Sequence, residues 1–148
     1  MFALLIGLAL AGGPDDKTSW NDLPWSSAPP AGAKCEAWQF DVAFCVRPSN
    51  SLITAVGSEK LMYWRNSFMA SMIAMPYRAE TFDAMNGQLA RLYGPSTKVI
   101  SGGFGWQGKN ILIALVTDSK LDEIHINYYY MPLYSKFQAT HGTISGGL

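Results

Sequence analysis

Charge is scarce in this chain, and nowhere is it clustered. Eleven Lys and Arg balance eleven Asp and Glu, and together they make up only 15% of the residues. Without a basic run the electrostatic footprint of a nucleic-acid binder is missing. The polybasic patch that docks on an anionic membrane surface is missing too. Histidine is limited to His125 and His141, and cysteine to Cys35 and Cys45. Two thiols with no histidine near them leave a zinc shell incomplete, so neither a metal nor another cofactor is expected. The N-terminal apolar run, Met1 to Gly13, is too short for the roughly 20 residues that cross a bilayer. What the chain does have is apolar content. At 49% of residues it suffices for a packed core, which excludes wholesale disorder. The length accommodates one domain.

The apolar run has the anatomy of an export leader. Ala9-Leu10-Ala11 supplies small residues before a cut, so residues 1–11 are expected to be a signal peptide cleaved after Ala11. Its n-region lacks Lys and Arg, and the competing reading is a buried N-terminal strand or helix. No Cys follows the run, so no lipid anchor is indicated, and no membrane anchor remains after cleavage. The compact leader and small domain point to a bacterial protein, periplasmic or secreted. Residues 12–34 carry Pro24, Pro29, Pro30 and Gly32 among Ser and Ala, an extended lead-in. Trp20 and Trp25 suggest that this lead-in lies against the domain.

Residues 35–132 carry the patterns of a folded unit. Trp38, Phe40, Val42, Phe44 and Val46 alternate with polar or small residues, predicting one half-buried strand with Trp38 and Phe40 facing the core. A turn at Ser49-Asn50 leads to a short strand over Leu52–Val56. Leu61–Trp64 and Phe68–Met75 read as a hairpin turning at Arg65-Asn66, although Phe68, Met69, Met72 and Met75 also fit a helical face. Ala79 to Pro95 has a full set of helix signals. Phe82, Met85, Leu89, Leu92 and Tyr93 share one stripe, Thr81 is the expected N-cap, and Gly94-Pro95 ends the helix. Asn110–Thr117 is apolar on both faces, as a central strand is. In Glu123–Tyr130, Ile124, Ile126, Tyr128 and Tyr130 oppose His125, Asn127 and Tyr129. Residues 133–148 read as a loose tail. The predicted fold is α+β, a single helix packed on an antiparallel sheet of about five to six strands.

Several constellations carry candidate chemistry. Gly103, Gly105 and Gly108 satisfy G-x-G-x-x-G, with Lys109 and Asn110 falling one residue short of a P-loop. Both phosphate motifs need a helix N-terminus after the glycines. A strand-like segment follows here, so the stretch reads as a flexible hairpin tip bearing Trp106. Cys35 and Cys45 are expected to bond in an exported protein. A fully extended segment between them would hold the sulfurs about 30 Å apart, so the bond requires a bend near Cys35. The alternative is a free pair. A triad of His125, Asp118 and a serine can be drawn on paper, but no serine sits on an elbow. His125 is otherwise a solvent-facing strand residue, and His141 a solvated tail residue. Trp106 and Tyr129 are the aromatics expected at the surface. Met62, Met69, Met72, Met75 and Met85 are expected between helix and sheet.

These features favour a small exported binding or accessory module, of the inhibitor, immunity or envelope accessory type. Its candidate binding residues are Trp106, Tyr129, His125 and Asn127, and its partner is another protein or a saccharide met by exposed aromatics. The alternatives are a small secreted hydrolase using His125 and a purely structural envelope component.

Overall fold

The computed structural model describes residues 19–20, 23–48 and 58–142. The leader and the strand expected at Leu52–Val56 lie outside them. Two short strands, β1 (Ser19–Trp20) and β2 (Leu23–Pro24), pair with each other. The remaining strands are β3 (Cys35–Ala37), β4 (Val42–Pro48), β5 (Ser58–Trp64), β6 (Ser67–Pro76), β7 (Lys98–Ile100), β8 (Gly103–Gln107), β9 (Ile111–Asp118) and β10 (Glu123–Tyr130). They form one eight-stranded sheet in the order β3-β4-β5-β6-β10-β9-β8-β7. Every pairing is antiparallel. The α+β class and the antiparallel sheet agree with the sequence patterns; the sheet is wider than those patterns predict. Among the described residues two helices are present in place of one, α1 (Ala79–Tyr93) and α2 (Met131–His141).

The extra width has a local origin. The alternation from Trp38 to Val46 is broken by a turn in which Phe40 and Asp41 adopt φ of 62° and 60°. The chain doubles back, and the Trp38 N–H donates to the Val42 carbonyl at 2.8 Å. One predicted strand is therefore two. The reversal sets Cys35 opposite Cys45, with Cα atoms 4.1 Å apart, and the disulfide forms. The bend that the bond requires lies at residues 38–41. The β5–β6 hairpin turns at Arg65-Asn66 with φ of 48° and 64°, the positive-φ pair that matches strand twist.

Each helix covers one face. On the first face Met85 and Leu89 of α1 pack with Leu61, Phe68, Ile73, Leu115, Ile126 and Tyr128. Phe82 lies 6.2 Å from Phe104 between ring centroids. Leu23 and Trp25 of the lead-in pack on this face too: Trp25 stacks on Phe68 at 4.7 Å and on Tyr130 at 5.7 Å. Helix α1 begins at Ala79, with Arg78 at the cap and no side-chain cap bond, so Thr81 lies within it. Gly94 ends it at φ 84°, its N–H donating to Ala90. On the second face Tyr134 and Phe137 of α2 pack with Val42, Met62, Trp64, Met69 and Tyr129. The loose tail predicted from residue 133 is thus helical to His141, whose ring lies 4.9 Å from Phe40 and 5.2 Å from Phe137. The methionines divide between the two faces, Met85 on the first and Met62 and Met69 on the second.

Two glycines set opposite expectations. A β-carbon on Gly103 would fall 1.8 Å from the Leu115 carbonyl oxygen, whereas one on Gly87, exposed in mid-helix, would touch nothing within 4 Å. Gly103→Ala is expected to cost about 2–3 kcal/mol through displaced backbone. Gly87→Ala should add about 0.5–1 kcal/mol by removing unfolded-state freedom. Urea unfolding of both variants checks the contrast in sign. The same assay with reductant should show the loss of about 3 kcal/mol expected for opening a short disulfide loop.

Candidate functional site

Strand alternation places His125, Asn127 and Tyr129 on the α2 face of β10, as their spacing requires. Their neighbours across the ladders are Ala74, Met72 and Ala70 on β6 and Val116, Ala114 and Leu112 on β9. His125 is 3% exposed and Asn127 2%, so the solvent-facing position predicted for His125 is corrected. Tyr129 is also buried, against Tyr134 at 4.4 Å. The physical reason is that β10 lies in the middle of the sheet with apolar neighbours on both sides. His125 Nε2 lies 2.8 Å from Glu123 Oε2, two residues back on the same face. The acid beside the imidazole is therefore Glu123. Asp118 instead accepts the N–H groups of Lys120 and Leu121 in the β9–β10 turn. Burial raises the Tyr129 phenol well above its ordinary range, Tyr134 adds to this, and a hydrogen bond with Asn127 opposes it. Asn127 Oδ1 is buried without a hydrogen-bond partner.

The opposite face holds a polar group that sequence patterns miss. Glu59 is fully buried, in phase with Leu61 and Tyr63 under α1, and accepts a hydrogen bond from Ser71 Oγ at 2.5 Å. A glutamate after Gly57-Ser58 reads as part of a solvated turn. The signal that could have found it is parity, because the alternation of Leu61 and Tyr63 extends back onto Glu59. Burial pushes the Tyr128 phenol well up, and Tyr93 by charge and hydrogen bond, then Glu59 by charge, add to it. Tyr93 is the last residue of α1, so this polar group ties the helix end to the sheet. Trp106 contributes to the same attachment. It is 1% exposed, and its indole N–H donates to the Gly94 carbonyl at 2.9 Å. The surface position predicted for Trp106 is thus also corrected. Gly103–Gln107 is a strand, and the hairpin turn falls at Lys109-Asn110, closed by the Gly108 N–H to Ile111. No helix follows the glycines, so the phosphate motif lacks its context here as well.

The disulfide-closed β3–β4 hairpin carries two exposed aromatics side by side, while a third, Tyr77, stands alone after β6. Trp38 is 41% exposed, Phe40 45% and Val46 59%, where the unbroken alternation predicts core positions for Trp38 and Phe40. Beside them lies an open groove of about 800 Å³, lined by Lys34, Glu36, Trp38, Phe44, Val46 and Lys60. Register explains the lining. Glu36 faces Phe44 across β3–β4, and Val46 faces Lys60 across β4–β5, all on the α2 face beyond the part that α2 covers. Trp38 meets Phe44 edge-on at 5.8 Å and Phe40 at 6.3 Å. Lys60 Nζ sits 5.3 Å from the Phe44 centroid, a cation–π contact. The hairpin is held at one end by the disulfide and propped at the other by His141 against Phe40.

The chain matches no known protein family, curated protein or solved structure. The chemistry of the site has to come from its own residues. Among the described residues no group of three or more His, Cys, Asp or Glu side chains could hold a metal ion. Nor, among them, is any helix long and apolar enough to cross a membrane. The groove offers apolar ring faces, two ammonium groups and one carboxylate on a stiff frame, which suits recognition. His125→Ala should act on the fold, lowering stability by about 1–3 kcal/mol through loss of a buried hydrogen-bonded group. Urea unfolding measures this; an unchanged midpoint with altered ligand binding would put His125 at a working surface.

Proposed function

We propose that this protein is a small exported binding module whose partner docks on the aromatic groove of the β3–β4 hairpin. The observation that carries the reading is the joint exposure of Trp38, Phe40 and Val46 on a disulfide-held edge. Contiguous apolar side chains left in water mark a surface that another molecule covers. Aromatic rings held in one geometry bind with little ordering cost, because their freedom is already lost. Export is supported by the leader pattern and by the disulfide, which persists in oxidising compartments.

The hydrolase reading draws support from the His125–Glu123 pair alone. Against it, the imidazole is buried, and the buried Ser71 lies on the opposite face bound to Glu59. Substituting His125 or Trp106 would perturb the core in any case, so the discriminating substitution is at Trp38.

Affinity capture from the exported fraction of the host, with wild type and Trp38→Ala side by side, tests the proposal. Trp38→Ala is expected to leave the unfolding midpoint within about 0.5 kcal/mol, as surface substitutions do. It should weaken partner retention about tenfold or more, as loss of an aromatic anchor does. Equal retention by both proteins would remove the groove from consideration. Intact mass of this protein purified from its native host adds the export test, a chain starting at Gly12 and lighter by the two thiol hydrogens.

A further inference from the structure

The outer edge of β3 adds an observation that the groove alone does not. The Trp38 N–H to Val42 bond fixes which backbone groups face inward. In an antiparallel ladder bonded and non-bonded pairs alternate, so Glu36 exchanges its bonds with β4, and Cys35 and Ala37 point theirs away from the sheet. The short Cα separation at Cys35–Cys45 agrees, because non-bonded pairs are the closer ones. Residues Cys35, Glu36 and Ala37 are all exposed, and among the described residues no other strand lies beyond them in the sheet. With no bond to these groups among the described residues, the outward N–H and C=O of Cys35 and Ala37 form a template for one more strand.

Resting on the proposed binding role of this groove, we infer that the partner is an extended segment of another protein. It adds antiparallel to β3 and sets alternate side chains over the groove. Lys34, Glu36 and Trp38 line that groove at two-residue spacing. An antiparallel segment facing them carries, from its N-terminus, an apolar residue opposite Trp38, a basic residue opposite Glu36 and an acidic residue opposite Lys34. Lys60, in the row of Val46, adds positive charge at the acidic end. Opposite charges across strands stabilise a pair and like charges destabilise it. Self-pairing of β3 centred on Glu36 sets that carboxylate against its own counterpart and Lys34 against Trp38. A register centred on Cys35 sets Lys34 against Glu36 but leaves Trp38 facing Gly32, so a second copy offers no apolar side chain to the exposed ring. The disulfide keeps β3 in place when the new strand arrives, so the edge is preorganised for addition.

The test uses the oxidised full-length protein and a synthetic peptide, acetyl-Thr-Phe-Thr-Lys-Thr-Glu-Thr-amide, followed by amide NMR. Saturable shifts and slowed hydrogen exchange at Cys35 and Ala37 are expected. N-methylation of the peptide at the residues facing Cys35 and Ala37 should weaken binding about tenfold or more by removing backbone bonds. Glu36→Lys should reverse the preference, favouring the peptide with Glu in place of its Lys. Absence of shifts at Cys35 and Ala37, or indifference to N-methylation, overturns strand addition. If Trp38→Ala nevertheless still abolishes capture of the natural partner, the groove reading survives and only the strand inference falls. Protection of these amides in the unliganded protein, rising with concentration alongside a doubled sedimentation mass, overturns it in favour of a second copy. A saccharide that shifts Trp38 and Phe44 side chains and competes with the natural partner overturns it as well.

Discussion

The β6–β10 ladder is the contact on which the rest of the architecture depends. Strands β3 to β6 form one meander and β7 to β10 another, each closed by neighbours in sequence. Only the pairing from Glu123–Pro76 to Tyr129–Ala70 makes them a single sheet. It places the longest strand beside one that is buried along all but its end residues, and both faces of the joined region must then be kept from water. Helix α1 and the Trp25 segment cover one face, and α2 covers part of the other. The groove lies where that second cover ends.

What was legible in the sequence is what short-range chemistry fixes. The Arg65-Asn66 turn, the Gly94 stop of α1, the two-faced apolarity of β9 and the alternation of β10 all appear where their residues place them. The turn at Phe40-Asp41 was not legible, because the alternation of Trp38, Phe40 and Val42 runs through it in phase. No glycine or proline marks it, and the cost of positive φ at Phe40 is met by the disulfide and the contact with His141. The requirement that Cys35 and Cys45 meet was the one long-range clue to that reversal.

The second helix was concealed by a residue with two meanings. Pro132 ends a strand, but it also sits comfortably in the first turn of a helix, where α2 has it. The apolar residues on both faces of β9 gave an indirect sign, since a sheet that is apolar on both sides needs a cover for each. That sign also bears on the candidate site. Alternation puts His125, Asn127 and Tyr129 on one face of β10, which they share, and the glycines around Trp106 suggest a surface tip. Their burial follows from how many strands flank them, which no local pattern encodes. Glu59 was missed for the converse reason, as a charged residue whose core position only strand parity reveals.

The order in which the chain leaves the ribosome meets the sheet's one long-range ladder awkwardly. The first meander can zip as soon as Pro76 is available, yet the strand that completes β6 is the last to be made. Until Glu123–Tyr130 arrives, a ten-residue strand stands as a bare margin, with Phe68, Met69 and Ile73 among its side chains. Such a half-built sheet recruits any strand it meets, including that of an identical nascent neighbour. Vectorial synthesis thus leaves this small protein with an interval in which its own interior is adhesive. Delaying collapse until the whole chain is free, as a holding chaperone does, closes that interval.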